Sequence, residues 1–566
     1  MLRIARSQWM SLALVGLLAC GGDTESDPPG PPGPPGPTDT GSDTGLDPDP
    51  GPDAEPVYLS ISGGGWNTHS AQAGWFSGML DASGADLAAL TQHVDAVSAN
   101  SGGAWFLTQL AYSEAFRDAL ENDRDAYTTT GFLGQTRDFW EFDEPCTDLA
   151  LYTYEVMCDY LDSTKPIFRM MKMADTDELD WSKMVSDVVY RPFEMSKELT
   201  GHTLSDARQA WAEDKALVLA AAMMTDQVIL SNDKWSTKYF DINVSDKDMY
   251  DQVNFTPAFL SDMGGSGHSA PSIFPADTMV VSYYDEGWTS TTGPVDVELT
   301  QHSTGQVPVM SAATASSAAV AGLASMRVLD EADLYSTMLI SESTLSYTSS
   351  LLAPPAHFSG SQIQFPETIG GEKFSTYSDQ QTVRFADGGY VDNSAVAFML
   401  AHLENNALAD DFNLVLFSNS GANDAQLGEL AMSSTVSNLF GTDATVAGRQ
   451  TVCLEDYCLE TMSPHVFDES AWDDVEATWS HTENEVTLEY FELSVQTVEN
   501  TTFGVSGGYS GTLHLFTLRH DETEPMPTVV ETFDVYDAVF EVARAGVAEH
   551  GGWEHLARAL QIEQGK

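Results

Sequence analysis

The feature that most constrains this chain is a unit that occurs three times: a short apolar run, a glycine-rich turn and then a helical stretch. The runs at residues 57–61 and 94–99 are typical of buried strands, and a third predicted strand ends at Asp387. Apolar residues at helical spacing follow each turn, most clearly over residues 68–80 and 394–403. Because strands that alternate with helices place those helices on the faces of a sheet, the pattern predicts an α/β fold.

The first turn, Ser62-Gly63-Gly64-Gly65, lies between a predicted strand and a predicted helix. Its backbone N–H groups and the positive end of the helix can bind a phosphate or stabilise an oxyanion. A plain tight turn would have the same composition, and the dinucleotide-binding pattern GxGxxG is absent.

The second and third turns each present one reactive side chain. Ser101 lies at the apex of Asn100-Ser101-Gly102-Gly103, where a crowded nucleophile elbow needs small neighbours. Ala99 stands where glycine is usual, so a serine turn that caps a helix is the alternative. Asp387 precedes two glycines, and its alternative is a turn followed by a helix cap at Asn393.

Taken together and in this order, the three turns resemble those of the patatin and cytosolic phospholipase A2 superfamily. The Ser-Gly-Gly-Gly and Ser-Gly-Gly-Ala-Trp segments are most similar to the branch containing cytosolic phospholipase A2 and fungal phospholipase B. Residues 254–259 and 313–319 resemble two further segments of this superfamily, whereas residues 115–247 show no match. The resemblance implies a three-layer α/β/α patatin-like fold around a mixed central sheet, with long insertions.

The resemblance also assigns roles to residues of this chain. Ser101 falls on the nucleophile and Asp387 on the base of a dyad that works without a catalytic histidine. Gly64 and Gly65 fall on the oxyanion-hole glycines. Three further residues are expected to contact substrate: Asn67, Gly102 and Gly388. Neither a cofactor nor a metal ion is expected.

The function that this implies is a serine carboxylic-ester hydrolase acting on lipids, that is, a phospholipase A or B or a lysophospholipase. The cytosolic phospholipase A2 branch has an arginine where this chain has Asn67, which leaves the headgroup preference open and admits lysolipids and neutral esters. Two alternatives stay open. One is an inactive, surface-tethered binding protein on the same scaffold, and the other is an esterase that uses Ser506.

The N-terminus predicts export. Arg3 and Arg6 precede an apolar run that is too short to span a bilayer, so residues 1–19 are typical of a signal peptide. The run ends in Leu-Leu-Ala-Cys, which resembles a bacterial lipobox with Cys20 as the lipidated residue. Residues 20–56 are rich in Pro, Gly and Asp and predict a stiff, unfolded spacer, which leaves residues 57–566 for the catalytic domain. The expected location is the cell envelope, at the outer membrane or cell surface, with membrane attachment through the lipid anchor.

The charge is strongly negative, at −61, with 24 basic and 85 acidic residues. Such a chain has no basic surface with which to bind nucleic acid, and its like charges favour a salty solvent that screens them. After Cys20, four cysteines remain for an oxidising compartment, and their proximity in sequence favours two disulfides: Cys146–Cys158 and Cys453–Cys458.

Two rival groups need separate interpretation. Gly504-Val505-Ser506-Gly507-Gly508 matches GxSxG, but the alternating residues 512–518 predict a strand where an elbow needs a helix, so we interpret Ser506 as part of a hairpin turn. His69 lies close to the glycine turn and is interpreted as lining a polar pocket, with a third catalytic role left open.

Overall fold

The structure is a computed structural model, and the residues that it describes are 55–140, 185–224, 255–262, 280–284, 287–291, 308–317, 368–369, 372–373, 385–406, 408–419, 436–441, 449–454, 457–462, 464–472, 475–500, 503–520 and 529–562. The predicted signal peptide, the lipidated Cys20, most of the spacer, and both Cys146 and Cys158 lie outside these residues. The described part of the chain contains no helix that is long and apolar enough to cross a membrane.

The described strands are β1 (Val57–Ile61), β2 (Val94–Asn100), β3 (Ala216–Met224), β4 (Phe255–Asp262), β5 (Val280–Tyr284), β6 (Gly287–Thr291), β7 (Thr368–Ile369), β8 (Glu372–Lys373), β9 (Phe385–Asp387), β10 (Phe412–Ser418), β11 (Arg449–Leu454), β12 (Tyr457–Met462), β13 (Trp479–Glu483), β14 (Val486–Gln496) and β15 (Ser510–His520). The described α-helices are α1 (Gly65–Ser83), α2 (Leu87–Leu90), α3 (Ser101–Tyr112), α4 (Glu114–Asn122), α5 (Phe132–Trp140), α6 (Met195–Glu198), α7 (Val309–Ser316), α8 (Gly389–Asp392), α9 (Val396–Asn406), α10 (Val529–Ala548) and α11 (Gly552–Ala559).

Nine of these strands form one mixed sheet in the order β13-β14-β15-β10-β1-β2-β3-β4, with β9 also paired to β3. The central strands β15, β10, β1, β2 and β3 run parallel to one another, and antiparallel strands flank them on both sides. Parallel strands in the middle of a sheet need cover on both faces, which agrees with the almost continuous burial of β1, β2 and β10.

Helices cover both faces of this sheet. Ile61 is paired with Phe417, and the Phe417 ring lies 5.9 Å from the ring of Trp75 in α1. In β2, Ser98 directly precedes the residue that pairs with Ile61, and neighbouring residues of a strand point to opposite faces of the sheet. Ser98 therefore points away from the face of Ile61, and its hydroxyl donates to Ala395 O at the start of α9. Helices α1 and α9 therefore lie on opposite faces. The predicted α/β class with helices around a mixed central sheet is confirmed.

Helix α10 forms an outer layer against α1. An added Cβ at Gly74 would lie 2.5 Å from Phe540 O, and one at Gly78 would lie 2.6 Å from Arg544 O, so the two helices approach as closely as glycine allows. One connected apolar core extends from Val57 to Leu560. Helix α10 is thus part of the main body.

Strand β3 is an element that the sequence pattern did not reveal. Its residues, 216–224, are mostly alanine, leucine and methionine, which favour helices, and a short apolar run does not distinguish a buried strand from a buried helix.

In the hairpin of β11 and β12, Cys453 lies directly opposite Cys458 in the register. The disulfide between them stays a prediction.

Candidate active site

Ser101 lies at a strained turn between β2 and α3. Strand β2 ends at Asn100 in extended conformation, and Ser101 has φ of +49°, in the left-handed region that residues other than glycine rarely adopt. Strain of this kind costs about 1–3 kcal/mol and is typical of functional sites. An added Cβ at Gly103 would lie 2.6 Å from Ser62 O, so the turn needs a small residue there. The predicted strand, sharp turn and helix are all present.

The topology of the sheet brings Asp387 to this turn. Strand β2 pairs with β3 as far as Asn100 opposite Ala220, and β9 pairs with the next residue, placing Asp387 opposite Ala221. Strand β4 pairs with the other edge of β3. Strand β9 therefore pairs with the same edge of β3 as β2, just beyond the point where β2 ends. Asp387 therefore stands beside Ser101 although 286 positions separate the two residues.

The two side chains form a direct hydrogen bond. The Ser101 hydroxyl donates to Asp387 Oδ2 at 2.6 Å, and Gly389 N–H donates to Asp387 Oδ1 at 2.8 Å. Asp387 is fully buried, whereas Ser101 retains 7% exposure. Burial raises the pKa of Asp387 to about 7, while the hydrogen bonds from Ser101 and Gly389 act in the opposite direction. A carboxylate with such a pKa is a competent general base near neutral pH.

The glycine turn lies against the serine turn. Gly63 N–H donates to Asn393 O at 2.8 Å and is therefore already used. Gly65 begins α1 and Gly64 is its N-cap, so their amides belong to the helix end whose N–H groups lack intrahelical acceptors. An added Cβ at Gly102 would lie 2.1 Å from Gly65 O, so the two turns touch through backbone atoms.

The other predicted substrate-binding residues surround these turns. Asn67 lies in the first turn of α1, and its Oδ1 atom is buried without a hydrogen-bond partner among the described residues. Gly388 follows Asp387, and an added Cβ on it would lie 2.8 Å from Ala220 O. Trp66 lies between Gly65 and Asn67, with its ring 4.9 Å from that of Trp105. The glycine turn is thus bordered by aromatic side chains.

Ser316, at the end of α7, holds the serine turn in place, a role that sequence reasoning missed. Its hydroxyl accepts from Ser101 N–H at 3.1 Å and donates to Ala220 O at 2.5 Å. The next residue, Ser317, accepts from Trp105 Nε1 at 2.8 Å. The only signal in the sequence was the small-residue segment at 313–319, which resembles a segment of the same superfamily but does not show which serine is used.

The turn after Asp387 is fixed by Asp392. Its carboxylate accepts from Ser394 N–H at 2.9 Å and from Ala397 N–H at 2.8 Å, so Asp392 caps α9. The alternative that Asn393 caps this helix is wrong. Asn393 instead faces the serine turn, where its Oδ1 accepts from Asn100 Nδ2 at 3.4 Å.

His69 belongs to the core. Its ring nitrogens are paired with Tyr127 Oη at 2.6 Å and Gln109 Oε1 at 2.7 Å, and its ring is stacked on Phe132 at 4.8 Å. Burial lowers the pKa of His69 to about 4. The interpretation of His69 as pocket lining is therefore wrong, and both of its nitrogens are used in hydrogen bonds within the core.

Ser506 lies in the connection between the antiparallel strands β14 and β15, as predicted from its surroundings. The residue is exposed, and its hydroxyl donates to Glu404 Oε1 at 2.6 Å.

A group of potential metal ligands is formed by His481, Glu483 and His550, whose ligand atoms lie within 4.8 Å of one another. The two imidazole rings are stacked at 4.1 Å and 12°, so their in-plane lone pairs do not converge on one point.

Comparison with family models gives no match, and comparison with curated proteins gives none either. Among solved structures, the fold is similar to that of human GIVD cytosolic phospholipase A2, with a TM-score of 0.34 and 10% sequence identity. The likeness covers 90% of this chain, which spans 60% of the length of that structure. The observations that bear on activity are those of Ser101, Asp387 and the glycine turn.

Proposed function

We propose that this protein is an exported lipid acyl hydrolase that cleaves carboxylic esters through a dyad of Ser101 and Asp387. The observation that carries the proposal is the 2.6 Å hydrogen bond from the Ser101 hydroxyl to Asp387 Oδ2, made from a backbone held at positive φ. A serine hydroxyl is a weak nucleophile and needs such an adjacent base. The strain at Ser101 is what a nucleophile elbow requires.

The proposed reaction has two steps. In the first, Ser101 Oγ attacks the acyl carbonyl carbon, its proton passes to Asp387, and the oxyanion accepts hydrogen bonds from Gly64 and Gly65 N–H. Asp387 then returns the proton to the departing alcohol, which leaves an acyl-serine. In the second step, water gives a proton to Asp387 and attacks the acyl-serine, and Ser101 recovers its proton as the fatty acid leaves.

An apolar border beside the glycine turn supports a lipid substrate. Trp66 follows Gly65 directly, and its ring lies 4.9 Å from Trp105 and 6.4 Å from Phe533. An apolar neighbourhood of this kind suits an acyl chain better than a polar leaving group. Asn67 supplies no positive charge next to it, which favours a lysolipid or a neutral ester over recognition of a phosphate by an ion pair. Attachment through Cys20 would keep the enzyme close to its lipid substrate.

The test is fatty-acid release from phospholipid, lysophospholipid and neutral-lipid vesicles by the full chain, in low and high salt. We expect Ser101→Ala and Asp387→Asn each to lower kcat by roughly 10³-fold or more. Ser506→Ala is the matched control, because Ser506 is also a serine whose hydroxyl is hydrogen-bonded to a carboxylate. This variant should keep full activity. Fluorophosphonate labelling should modify Ser101.

Three outcomes would contradict the proposal. Activity that survives Ser101→Ala rules out the dyad. Labelling of Ser506 moves the reaction to the turn before β15. A folded wild type that releases no fatty acid in any salt favours a tethered binding protein.

A further inference from the structure

Asn419 lies one residue beyond strand β10, next to the glycine turn. Strands β1 and β10 run parallel, with Ile61 paired to Phe417, and Ser62 N–H donates to Phe417 O at 3.0 Å just beyond the end of β1. The segments that follow β1 and β10 then continue side by side, since Asn419 N–H donates to the Ser62 hydroxyl at 3.1 Å. The end of β10 thus reaches the turn that carries Gly64.

The side chain of Asn419 is buried and only half used. Its exposure is 3%, and its Oδ1 accepts from the Ser62 hydroxyl at 3.3 Å. Its Nδ2 is buried and has no hydrogen-bond partner among the residues that the structure describes. An unpaired buried donor costs about 1–3 kcal/mol, so a folded protein rarely keeps one without a use for it.

The unpaired amide points at Gly64. The position that a Cβ of Gly64 would take lies 1.9 Å from Asn419 Nδ2 but 2.8 Å from Asn419 Cγ, so the nitrogen is the nearer end of the group. The hydroxyl of Thr68 lies 2.5 Å from the same point, but it already donates to Gly63 O at 2.6 Å. Asn419 therefore places a free N–H donor against the residue whose own amide serves the proposed oxyanion hole.

We propose that Asn419 is a third oxyanion donor, whose Nδ2–H binds the acyl oxygen together with the amides of Gly64 and Gly65. This inference rests on the proposed function and extends it by one residue. Asparagine side chains serve as oxyanion donors in other hydrolases, where the loss of one donor costs about 10²–10³ in kcat. The hydrogen bond strengthens as negative charge develops on the oxygen, so it acts on turnover rather than on substrate affinity.

The experiment compares Asn419→Ala and Asn419→Asp with wild type in the full chain, using steady-state release of fatty acid from the best vesicle substrate. Aspartate keeps the shape and the acceptor for Ser62, removes the amide donor and adds a negative charge that repels the oxyanion. We expect kcat to fall about 10²-fold or more in both variants while KM changes less than about threefold. The matched control is Asn413→Ala, which should keep kcat, because Asn413 is a buried asparagine on β10 whose Oδ1 has no hydrogen-bond partner in the described part of the chain.

A second readout separates an oxyanion donor from a residue that only supports the fold. A lipid trifluoromethyl ketone adds Ser101 Oγ to its carbonyl and forms an oxyanion, so its Ki should rise about 10²-fold in Asn419→Ala. A kcat within about threefold of wild type, or equal losses in Asn419→Ala and Asn413→Ala that follow their melting temperatures, overturns the inference. In either case a wild type that turns over and is labelled at Ser101 leaves the proposed function standing, whereas an inactive wild type removes both.

Discussion

Gly102 and Gly65 meet so closely that an added Cβ on Gly102 would lie 2.1 Å from Gly65 O and 2.6 Å from Gly65 N. The turn that presents Ser101 and the turn that begins α1 are therefore in direct backbone contact. This contact fixes the position of the proposed nucleophile relative to that of the proposed oxyanion donors. Such preorganisation is the main source of electrostatic catalysis, because no dipole has to be reoriented during the reaction.

The pH dependence of the reaction should follow Asp387. The base must be ionised to accept the Ser101 proton, and burial raises its pKa to about 7. We expect kcat/KM to rise tenfold per pH unit below this value and to level off above it. A rate profile between pH 5 and 9 with a soluble ester measures it. A profile that is flat from pH 5 upward would contradict the assignment of Asp387 as the base.

Replacing Asp387 by asparagine should stabilise the fold. A pKa raised from 3.8 to about 7 means that the folded state binds the proton more tightly, so the wild type loses stability as the pH rises from 4 to 7. The gain from Asp387→Asn is at most about 4 kcal/mol at pH 8 and smaller at pH 5, since each pKa unit corresponds to about 1.4 kcal/mol. Denaturant unfolding at both pH values tests this, and a variant that is less stable at pH 8 would refute it.

Gly64 and Gly65 should differ sharply in their tolerance of a side chain. Gly64 has φ of +137°, and an added Cβ would lie 1.9 Å from Asn419 Nδ2, so Gly64→Ala should cost roughly 2–6 kcal/mol through strain and overlap. Gly65 has φ of +58° and open space around it, so Gly65→Ala should cost only about 1–2 kcal/mol. Paired urea denaturation curves measure the difference, and equal losses would show that the two positions are alike.

His69 should matter for acid stability and not for turnover. Its pKa is lowered to about 4 by burial, so the protein loses stability as the pH falls from 6.5 to 4, where the unfolded chain takes up the proton first. We expect His69→Phe to lower stability at pH 7, to flatten the decline between pH 7 and 5, and to leave kcat within a few fold. Unfolding free energies at the two pH values supply the measurement. A drop in kcat of the size expected for Ser101→Ala would restore a catalytic role for His69.

Salt should stabilise the whole protein. With a net charge of −61, repulsion between acidic side chains opposes the compact state. Raising NaCl from about 0.1 M to 1 M shortens the screening length from about 10 Å to 3 Å, so the melting temperature should rise. Melts in equimolar KCl should show the same rise, whereas a falling melting temperature would show that the acidic residues are held by specific ion pairs.

The sequence pattern predicted the elements around the site better than the contacts within it. Strand β1 was predicted over residues 57–61 and begins and ends there, and β2, predicted over residues 94–99, ends one residue later at Asn100. Helix α9 begins at Val396, two residues later than predicted, because Asp392 caps it and Ala395 has φ of +61°. Periodicity carries no information about such a conformation, since it arises from tertiary contacts.

The partners that hold the reactive groups were not predictable in the same way. The contact of Ser316 with Ser101 and that of Asn419 with Gly64 depend on which strands become neighbours, and β10 lies next to β1 although more than 350 positions separate them in the chain. Short motifs indicate the candidate reactive residues. The residues that hold these in place are scattered through the chain and have no local sequence signature. His69 shows the converse error, because closeness to a motif in sequence did not place it in the site.

The base of the proposed dyad is carried by a strand of only three residues, β9, whose described ladder is with β3 alone. A ladder this short can open without the rest of the core. Heating should therefore detach Asp387 from Ser101 before the other eight strands of the sheet separate, and lipid turnover should stop several degrees below the midpoint of global unfolding. The temperature range of the proposed activity would then be set by β9 and not by the core.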